Sequence, residues 1–323
     1  MNFKNKKVVI IHSGSNEDEA NFDTLQQAKE IANILKKSSI PFAVGNIKDE
    51  GLIQKIINYD KNKIIIFNLV ETLKYSDAKI YQFTTFLDFL NLCYTGATSH
   101  FLLLTQNKIT TKKILKTSKI NTPKWIEEDK ITDKKLSKKY IVKSAIEHCS
   151  LGIDDNSIAD VNLAQITKEK KQKYGGVWFA EEYIEGREFN ISVMKIEGKL
   201  KILPLAEMIF YEDPSKSSRI VDYQAKWDGS LNYRSFDSNV STKLANNIRK
   251  TILKLVQIFN INSYARIDLR VNKNEKVFVI DINANPCLSF DAGFMAACKK
   301  FGLTPKNVII NILKNASDNE SGN

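Results

Sequence analysis

The sequence is poor in the features that announce several protein classes. It holds four cysteines, Cys93, Cys149, Cys287 and Cys298, with no CxxC pair or zinc-ligand spacing among them. That argues against a disulfide scaffold and a thiolate metal centre, and free thiols in a reducing cytoplasm are the simplest reading. No apolar run reaches membrane-spanning length. The apolar core of the N-terminal stretch, residues 8–11, is too short for a signal peptide. Neither a Ser/His/Asp nor a Cys/His arrangement is present, so catalysis through a side-chain nucleophile is not indicated. There is no internal repeat and no low-complexity domain.

What is present suits a soluble globular protein. Hydrophobic residues make up 43% and charged residues 26% of the 323 positions, enough chain for two or three domains with a real core. The net charge of +11 would suit a polyanion partner. The lysines, however, are scattered through every segment. Lys134-Lys135, Lys138-Lys139 and the run at 168–173 read as solvated faces rather than a nucleic-acid surface.

Taken in order, residues 7–11 form a short apolar strand ending in His12-Ser13-Gly14-Ser15. A helix follows with Leu25, Ala28, Ile31, Ala32 and Leu35 on one face. Strands at 40–44 and 64–68 come next, then a helix striped by Phe83, Phe86, Leu87 and Leu90. This alternation predicts a parallel α/β layer ending near the turn Tyr94-Thr95-Gly96. His12 stands where open α/β sheets bind ligands, a place where a structural histidine is also common.

Residues 98–117 read as helical with a break at 105–108, so Lys108 opens a helix. A lysine there opposes the helix dipole unless an anion such as phosphate is near. The strand at 139–144 is apolar around Lys143, which needs either a bound anion or an edge position with its amine in water. The small-residue loop Ser150-Leu151-Gly152-Ile153 could cradle phosphate through its backbone. Strands at 177–184 and 189–196 enclose Glu181, Tyr183, Ile184 and Glu188. Together these offer an apolar slot with one acceptor, as an adenine needs, and a carboxylate for ribose hydroxyls. A strand at 199–209 precedes a polar run without periodicity, 211–236, read as a lid. Beyond it lie helices at 239–259 and 290–301 and one starting at Thr304-Pro305. Residues 316–323 read as a disordered tail.

The most chemically suggestive stretch is 264–286, YARIDLRVNKNEKVFVIDINANP. It reads as two strands, 264–271 and 277–282, joined by a polar turn. Residues two apart share a face, so Arg266 lies with Asp268 and Asp281 with Asn283. Two acids and an amide would suit Mg²⁺; an ordinary hairpin with solvated charges fits the same spacing.

Assembled in order, these motifs resemble the ATP-grasp superfamily, in its D-alanine–D-alanine ligase branch. The resemblance spans residues 7–313 and rests on LCYTGATSHFLLLTQNKITTKKIL with INTPKW after it, EEYIEGREFNISV, VDYQAKW, and ARIDLRV with VFVIDINANP. It implies a three-domain α/β and α+β fold. A Rossmann-like layer would occupy 1–96, a small central α+β domain 97–183 and an antiparallel-sheet domain 184–315. It also implies ATP and Mg²⁺, with Mn²⁺ as an alternative. Lys108 and Lys143 match the lysines that hold the α- and β-phosphates. Glu181 matches the acceptor for the adenine amine, Tyr183 and Ile184 the lining of its slot, and Glu188 the ribose carboxylate. Lys226 matches the lid lysine that reaches the γ-phosphate. Asp268, Asp281 and Asn283 match the metal ligands, the middle one being Glu in most relatives. Arg266 matches the arginine that stabilises the tetrahedral oxyanion.

The departures cluster in the amino-acid subsites. The first loop is HSGSNEDEAN, in which Glu17 could replace the family's glutamate. The histidine and Gly-Glu-Asp-Gly loop is replaced by Asn68-Leu69-Val70-Glu71-Thr72. Ser150 keeps the loop serine, but its tyrosine partner is Trp227. Cys287 stands for the glycine of the oxyanion hole, and Ala292 for the serine that meets the second substrate's carboxylate. The expectation is therefore an ATP-dependent carboxylate–amine ligase working through an acyl-phosphate, with altered substrate subsites. Its substrates would be amino acids or a short peptide, with no nucleic-acid or membrane partner; a homodimer is compatible. The alternatives are a divergent D-alanine–D-alanine ligase and an ATP-binding regulator without turnover.

Overall fold

The computed structural model describes residues 6–14, 22–73, 79–146, 152–210 and 232–319. Along the chain β1 (Lys7–His12), α1 (Phe22–Lys37), β2 (Phe42–Asn46), α2 (Leu52–Ile57), β3 (Ile64–Leu69), α3 (Ile80–Phe89) and β4 (Cys93–Tyr94) alternate. Their strands pair in parallel in the order β2-β1-β3-β4. β1 is apolar from Val8 to Ile11 because both faces of that stretch are covered. Val8 and Ile10 pack with Ala28, Ile31 and Leu35 of α1. Val9 and Ile11 pack with Leu52 and Ile56 of α2 and Phe83 and Leu87 of α3.

α4 (Ser99–Thr105) and α5 (Lys108–Thr117) follow, separated at the expected break. Asn107 caps α5, its Oδ1 accepting from the N–H groups of Ile109 and Thr110 at 2.9 and 3.1 Å. A second sheet comprises β5 (Trp125–Glu127), β6 (Tyr140–Ser144), β7 (Ile158–Ala159) and, after α6 (Leu163–Tyr174), β8 (Trp178–Glu182). It is antiparallel in the order β5-β8-β6-β7.

The largest sheet is built from β9 (Arg187–Ile196), β10 (Lys199–Ile202), β11 (Ala206–Phe210), β12 (Asn232–Ser235) and, after α7 (Thr242–Ile258), β13 (Tyr264–Val271) and β14 (Val277–Asn283). It too is antiparallel, ordered β12-β11-β9-β13-β14, with β10 folded back on β9. Ser241 caps α7, its Oγ accepting from the Leu244 N–H at 3.0 Å. The α7 stripe Leu244, Ile248, Ile252 and Leu255 packs with Phe189, Ile191, Ile267 and Leu269 of the sheet. Each such side chain contributes about 1.5–3 kcal/mol on burial. α8 (Gly293–Lys300) and α9 (Pro305–Asn319) complete the chain.

The expected parallel layer and antiparallel sheets are therefore present, with four differences of detail. The strand expected at 199–209 is two strands, interrupted at Pro204, which has no N–H for a ladder. The lid expected at 211–236 ends in a strand, since Asn232–Ser235 pairs with β11; residues 211–231 lie outside the described residues. The helix expected from 290 begins at Gly293. The tail expected to be disordered from 316 is helical to Asn319. α9 returns to the first sheet, where Val308, Ile309, Ile312 and Leu313 join the core of Val8 and Ile10. That docking buries Ala316, whose carbonyl accepts from the Cys93 thiol at 2.6 Å. Among the described residues no helix is long and apolar enough to cross a membrane.

Candidate active site

The hairpin β13–β14 has the expected pairing, and its register sets Arg266 opposite Asn283 and Asp268 opposite Asp281. A bulge between Asp268 and Leu269 marks the end of that polar patch. The Arg266 guanidinium grips Asp268 through two bonds of 2.8 Å, from Nε to Oδ1 and from Nη2 to Oδ2. Asn190, facing Asp268 from β9, donates to Oδ1 at 2.9 Å. Asn283 donates to Oδ2 at 3.1 Å. Asp268 thus accepts from donors on its own strand and on both neighbours. Lys108, the first residue of α5, brings its Nζ to 3.7 Å from Oδ2 of Asp281.

A second charged group lies deeper. Glu181 on β8 is 2% exposed and is flanked by two lysines. Lys143, from the neighbouring strand β6, stands 2.5 Å from Oε1. Lys112, one helical turn after Lys108 on α5, pairs with Oε2 and donates to Thr122 Oγ1 at 2.8 Å. Burial pushes the Glu181 pKa up, but the two ammonium groups pull it further down, so the carboxyl stays ionised below its usual range. By its sequence, Lys143 needs either an anion partner or contact with water. The structure gives it a buried carboxylate partner.

Glu188, at the start of β9, faces Arg270 on β13 in register, with Nη2 2.8 Å from Oε2. Here burial wins: the Glu188 pKa is raised, despite Arg270. The Arg270 guanidinium lies 5.4 Å from the Tyr183 ring centroid, a cation–π arrangement. Ile184 beside it is buried. The connection between β8 and β9 passes so close to β13 that a Cβ on Gly186 would sit 2.1 Å from the Val271 carbonyl oxygen. Only glycine fits that approach, and its φ of 139° is open to glycine alone.

Glu71 follows β3 at the C-terminal end of the parallel sheet, the ligand-binding end of such layers. Its N–H donates to Ser13 Oγ at 3.1 Å. It lines a cleft with Gln27, Asn68, Tyr264, Asn285 and Leu288, so the end of the first sheet meets the chain just after the hairpin. Cys287, next to that cleft, has its thiol pKa pushed up to about 12, by burial first and by Glu71 second. His12 is buried and kept neutral by that burial.

The structure therefore gathers Lys108, Lys143, Glu181, Tyr183, Ile184, Glu188, Arg266, Asp268, Asp281 and Asn283 around one set of strand and helix ends. Lys226, Ser150, Glu17 and Trp227 lie outside the described residues. Two members of the cluster, Lys112 and Arg270, were not singled out from the sequence. The available signal was spacing: Lys112 is four residues after Lys108 on one helix face, and Arg270 is two after Asp268 on one strand face. Among the described residues no group of three or more His, Cys, Asp or Glu side chains is placed to hold a metal. The hairpin instead offers two carboxylates and an amide.

Comparison with known proteins places the chain beside D-alanine–D-alanine ligases. A family model described as the D-ala D-ala ligase C-terminus matches residues 109–314. A D-alanine–D-alanine ligase of Aquifex aeolicus is 29% identical over 229 residues, covering 69% of this chain and 73% of that protein. One from Thermotoga petrophila is 24% identical over 91% of this chain and 92% of its own length. Among solved structures, the D-alanine–D-alanine ligase from Bacillus anthracis complexed with ATP superposes with a TM-score of 0.75 at 18% identity. The match covers 98% of this chain and 99% of that one.

Proposed function

The chain belongs to the D-alanine–D-alanine ligase family of ATP-grasp enzymes, which are ATP-dependent C–N ligases, and from that premise we propose that it joins a carboxylate to an amine through an acyl-phosphate. The observation that supports this most is the convergence of Lys108, Lys143, Glu181, Glu188 and the Asp268–Asp281–Asn283 patch from three separate parts of the fold. The domain limits proposed with it are 1–96, 97–183 and 184–315, the last extended by the helix to Asn319.

In this reading ATP lies between the second and third sheets. Glu181 keeps lone pairs beyond those its lysines use, which lets it accept from the adenine amine, with Tyr183 and Ile184 against the ring. Glu188 receives the ribose hydroxyls. Lys143 has three N–H donors, so it can hold Glu181 and a phosphate oxygen together. Lys108 neutralises the neighbouring phosphate. Lys226 and Ser150 belong to the proposal on sequence grounds, reaching the γ-phosphate and the acid substrate.

The hairpin residues suit a divalent cation. Asp268 and Asp281 supply hard carboxylate oxygens, and Asn283, whose nitrogen is turned to Asp268, presents its oxygen as the remaining donor. Mg²⁺ or Mn²⁺ held there would neutralise charge on the phosphate oxygens. The substrate carboxylate attacks the γ-phosphoryl group, ADP leaves, an amine attacks the acyl-phosphate and inorganic phosphate departs. Arg266, oriented by Asp268, faces the oxyanion of that second step. The Cys287 backbone N–H serves where the family pattern has glycine.

The substrates are proposed to be amino acids or a short peptide, in subsites that differ from the family pattern at Glu71, Cys287 and Ala292. Phosphate release from ATP, followed over a panel of amino acids, tests the reading. Release stimulated by an acid and amine pair is expected. ATP binding with no stimulation by any pair would favour a regulator without turnover. Stimulation by D-alanine alone would favour a divergent D-alanine–D-alanine ligase, the reading that the names of the relatives support.

A further inference from the structure

Arg270 on β13 has no task in the reading above, yet it touches the nucleotide slot at three points. It is 5% exposed. Its Nη2 stands 2.8 Å from Oε2 of Glu188, and its Nη1 donates to the Gly186 carbonyl at 3.4 Å. The guanidinium lies 5.4 Å from the Tyr183 ring centroid and 5.9 Å from that of Phe210 on β11. Tyr183 and Gly186 bound the short connector, residues 183–186, that carries the chain from the second sheet to the third. Glu188 lies just past it. One buried cation therefore grips that connector at both ends.

Strand cohesion does not explain the pair. β9 and β13 already pair along the whole of 264–271, and apolar side chains of similar size commonly hold such a place as well as buried ions do. Register does explain it. Arg266, Asp268 and Arg270 alternate along one face of β13, opposite Ser192, Asn190 and Glu188 of β9. The Arg270–Glu188 pair is thus the rung beyond Asp268, about 7 Å further along the strand. With the phosphates at the Asp268 end, the sugar falls at the Glu188 rung. A buried carboxylate needs a partner, and it has more lone pairs than one guanidinium N–H uses. Glu188 can therefore hold Arg270 and accept from a ribose hydroxyl together.

We propose that Arg270 is the positioning residue for the sugar: it fixes Glu188 where that carboxylate reads the ribose hydroxyls, and so makes the site select ribonucleotides over deoxyribonucleotides. Tyr183, held against the same guanidinium, keeps the base in line with that sugar. The proposal rests on the ATP reading of the site and deepens it from the nucleotide to its sugar.

Isothermal titration of the full chain with ADP, 2′-deoxy-ADP and 3′-deoxy-ADP in the presence of Mg²⁺ tests this without requiring turnover. Wild type is expected to bind ADP at least about 10-fold tighter than the weaker of the two deoxy analogues, the worth of one hydrogen bond to a charged group. Arg270→Met should reduce that preference to within about threefold. It should do so by weakening ADP, while the analogue, which lacks the hydroxyl, loses little. Arg270→Lys keeps the charge without the planar fork. Its preference should be intermediate, and it carries the test where circular dichroism shows that Arg270→Met does not fold. Equal losses for ADP and the analogue would mean a structural role only and would overturn the proposal. A wild-type preference in either folded variant, or no preference in wild type, would overturn it too. If wild type binds no adenine nucleotide, the ATP reading itself fails and the proposal falls with it. Binding by wild type with an unaltered sugar preference in the variants removes the role of Arg270 alone.

Discussion

Lys143 Nζ stands 2.5 Å from Glu181 Oε1 across two paired strands, in a place where the carboxylate is 2% exposed. The pair makes a prediction about acid stability. The folded pKa of Glu181 is below the ordinary value of 4.5, so its contribution is complete above that value and is lost as pH falls through the folded one. Glu181→Gln removes the titrating group and leaves two lysines facing an amide. At pH 7 the variant should be less stable by about 3–5 kcal/mol, the cost of breaking a buried pair. Thermal melts followed by circular dichroism should show the gap narrowing below pH 4.5, because only wild type loses the interaction. A gap that stays constant from pH 7 to pH 3 would contradict the assignment.

Lys112 supplies the second prediction. It is 1% exposed, pairs with the other oxygen of Glu181 and donates to Thr122. Lys112→Met should destabilise by about 1.5–3 kcal/mol, the worth of a charged hydrogen bond, because Lys143 still serves the carboxylate. It should also raise KM for ATP, since Glu181 would then lean on Lys143 alone. Urea denaturation measures the first effect and initial rates at varied ATP the second. A stable variant with unchanged KM would show that Lys112 merely fills space.

The difference between these two lysines shows what the sequence could reveal. Lys143 interrupts an apolar strand, so its need for a partner is visible locally. Lys112 lies in a lysine-rich helix where exposed and buried amines look alike, and its burial depends on Glu181, which arrives far later in the chain. The hairpin was legible for the opposite reason. Alternation in 264–271 and 277–282 fixes which residues share a face, and the structure pairs Asp268 with Asp281. The break at Pro204 is set by backbone chemistry and is local to the sequence, since proline has no N–H to give a ladder. The helical extension to Asn319 did not follow from local polarity, because what holds it is the first sheet, at the other end of the chain.

The two aspartates of the hairpin should separate in their effects. Asp268 is the clamp for Arg266, Asn190 and Asn283, so Asp268→Asn should cost about 1.5–3 kcal/mol of stability as well as turnover. Asp281 contacts Lys108 at the longer distance of 3.7 Å. Asp281→Asn should keep a melting temperature within about 2 °C of wild type yet lose ATP-dependent phosphate release, with partial recovery at high Mg²⁺ or Mn²⁺. Unaltered turnover in Asp281→Asn at low Mg²⁺ would remove it from the proposed metal set.

Cys287 tests whether the site uses this residue's side chain or only its backbone. Burial and Glu71 push its thiol pKa up to about 12, so at pH 8 only about one molecule in ten thousand carries the thiolate there. Alkylation by iodoacetamide should therefore be about a thousandfold slower than for an ordinary exposed thiol, as read by peptide mass spectrometry at this position. A neutral thiol is neither nucleophile nor base at working pH, and the N–H proposed to face the oxyanion belongs to the backbone. Cys287→Gly, restoring the residue of the family pattern, should keep kcat within about threefold, because an oxyanion-hole donor lost outright would cost a hundredfold or more. Rapid alkylation, or a hundredfold loss in Cys287→Gly, would mean that the sulfur itself takes part, and the backbone role proposed for this position would have to be withdrawn.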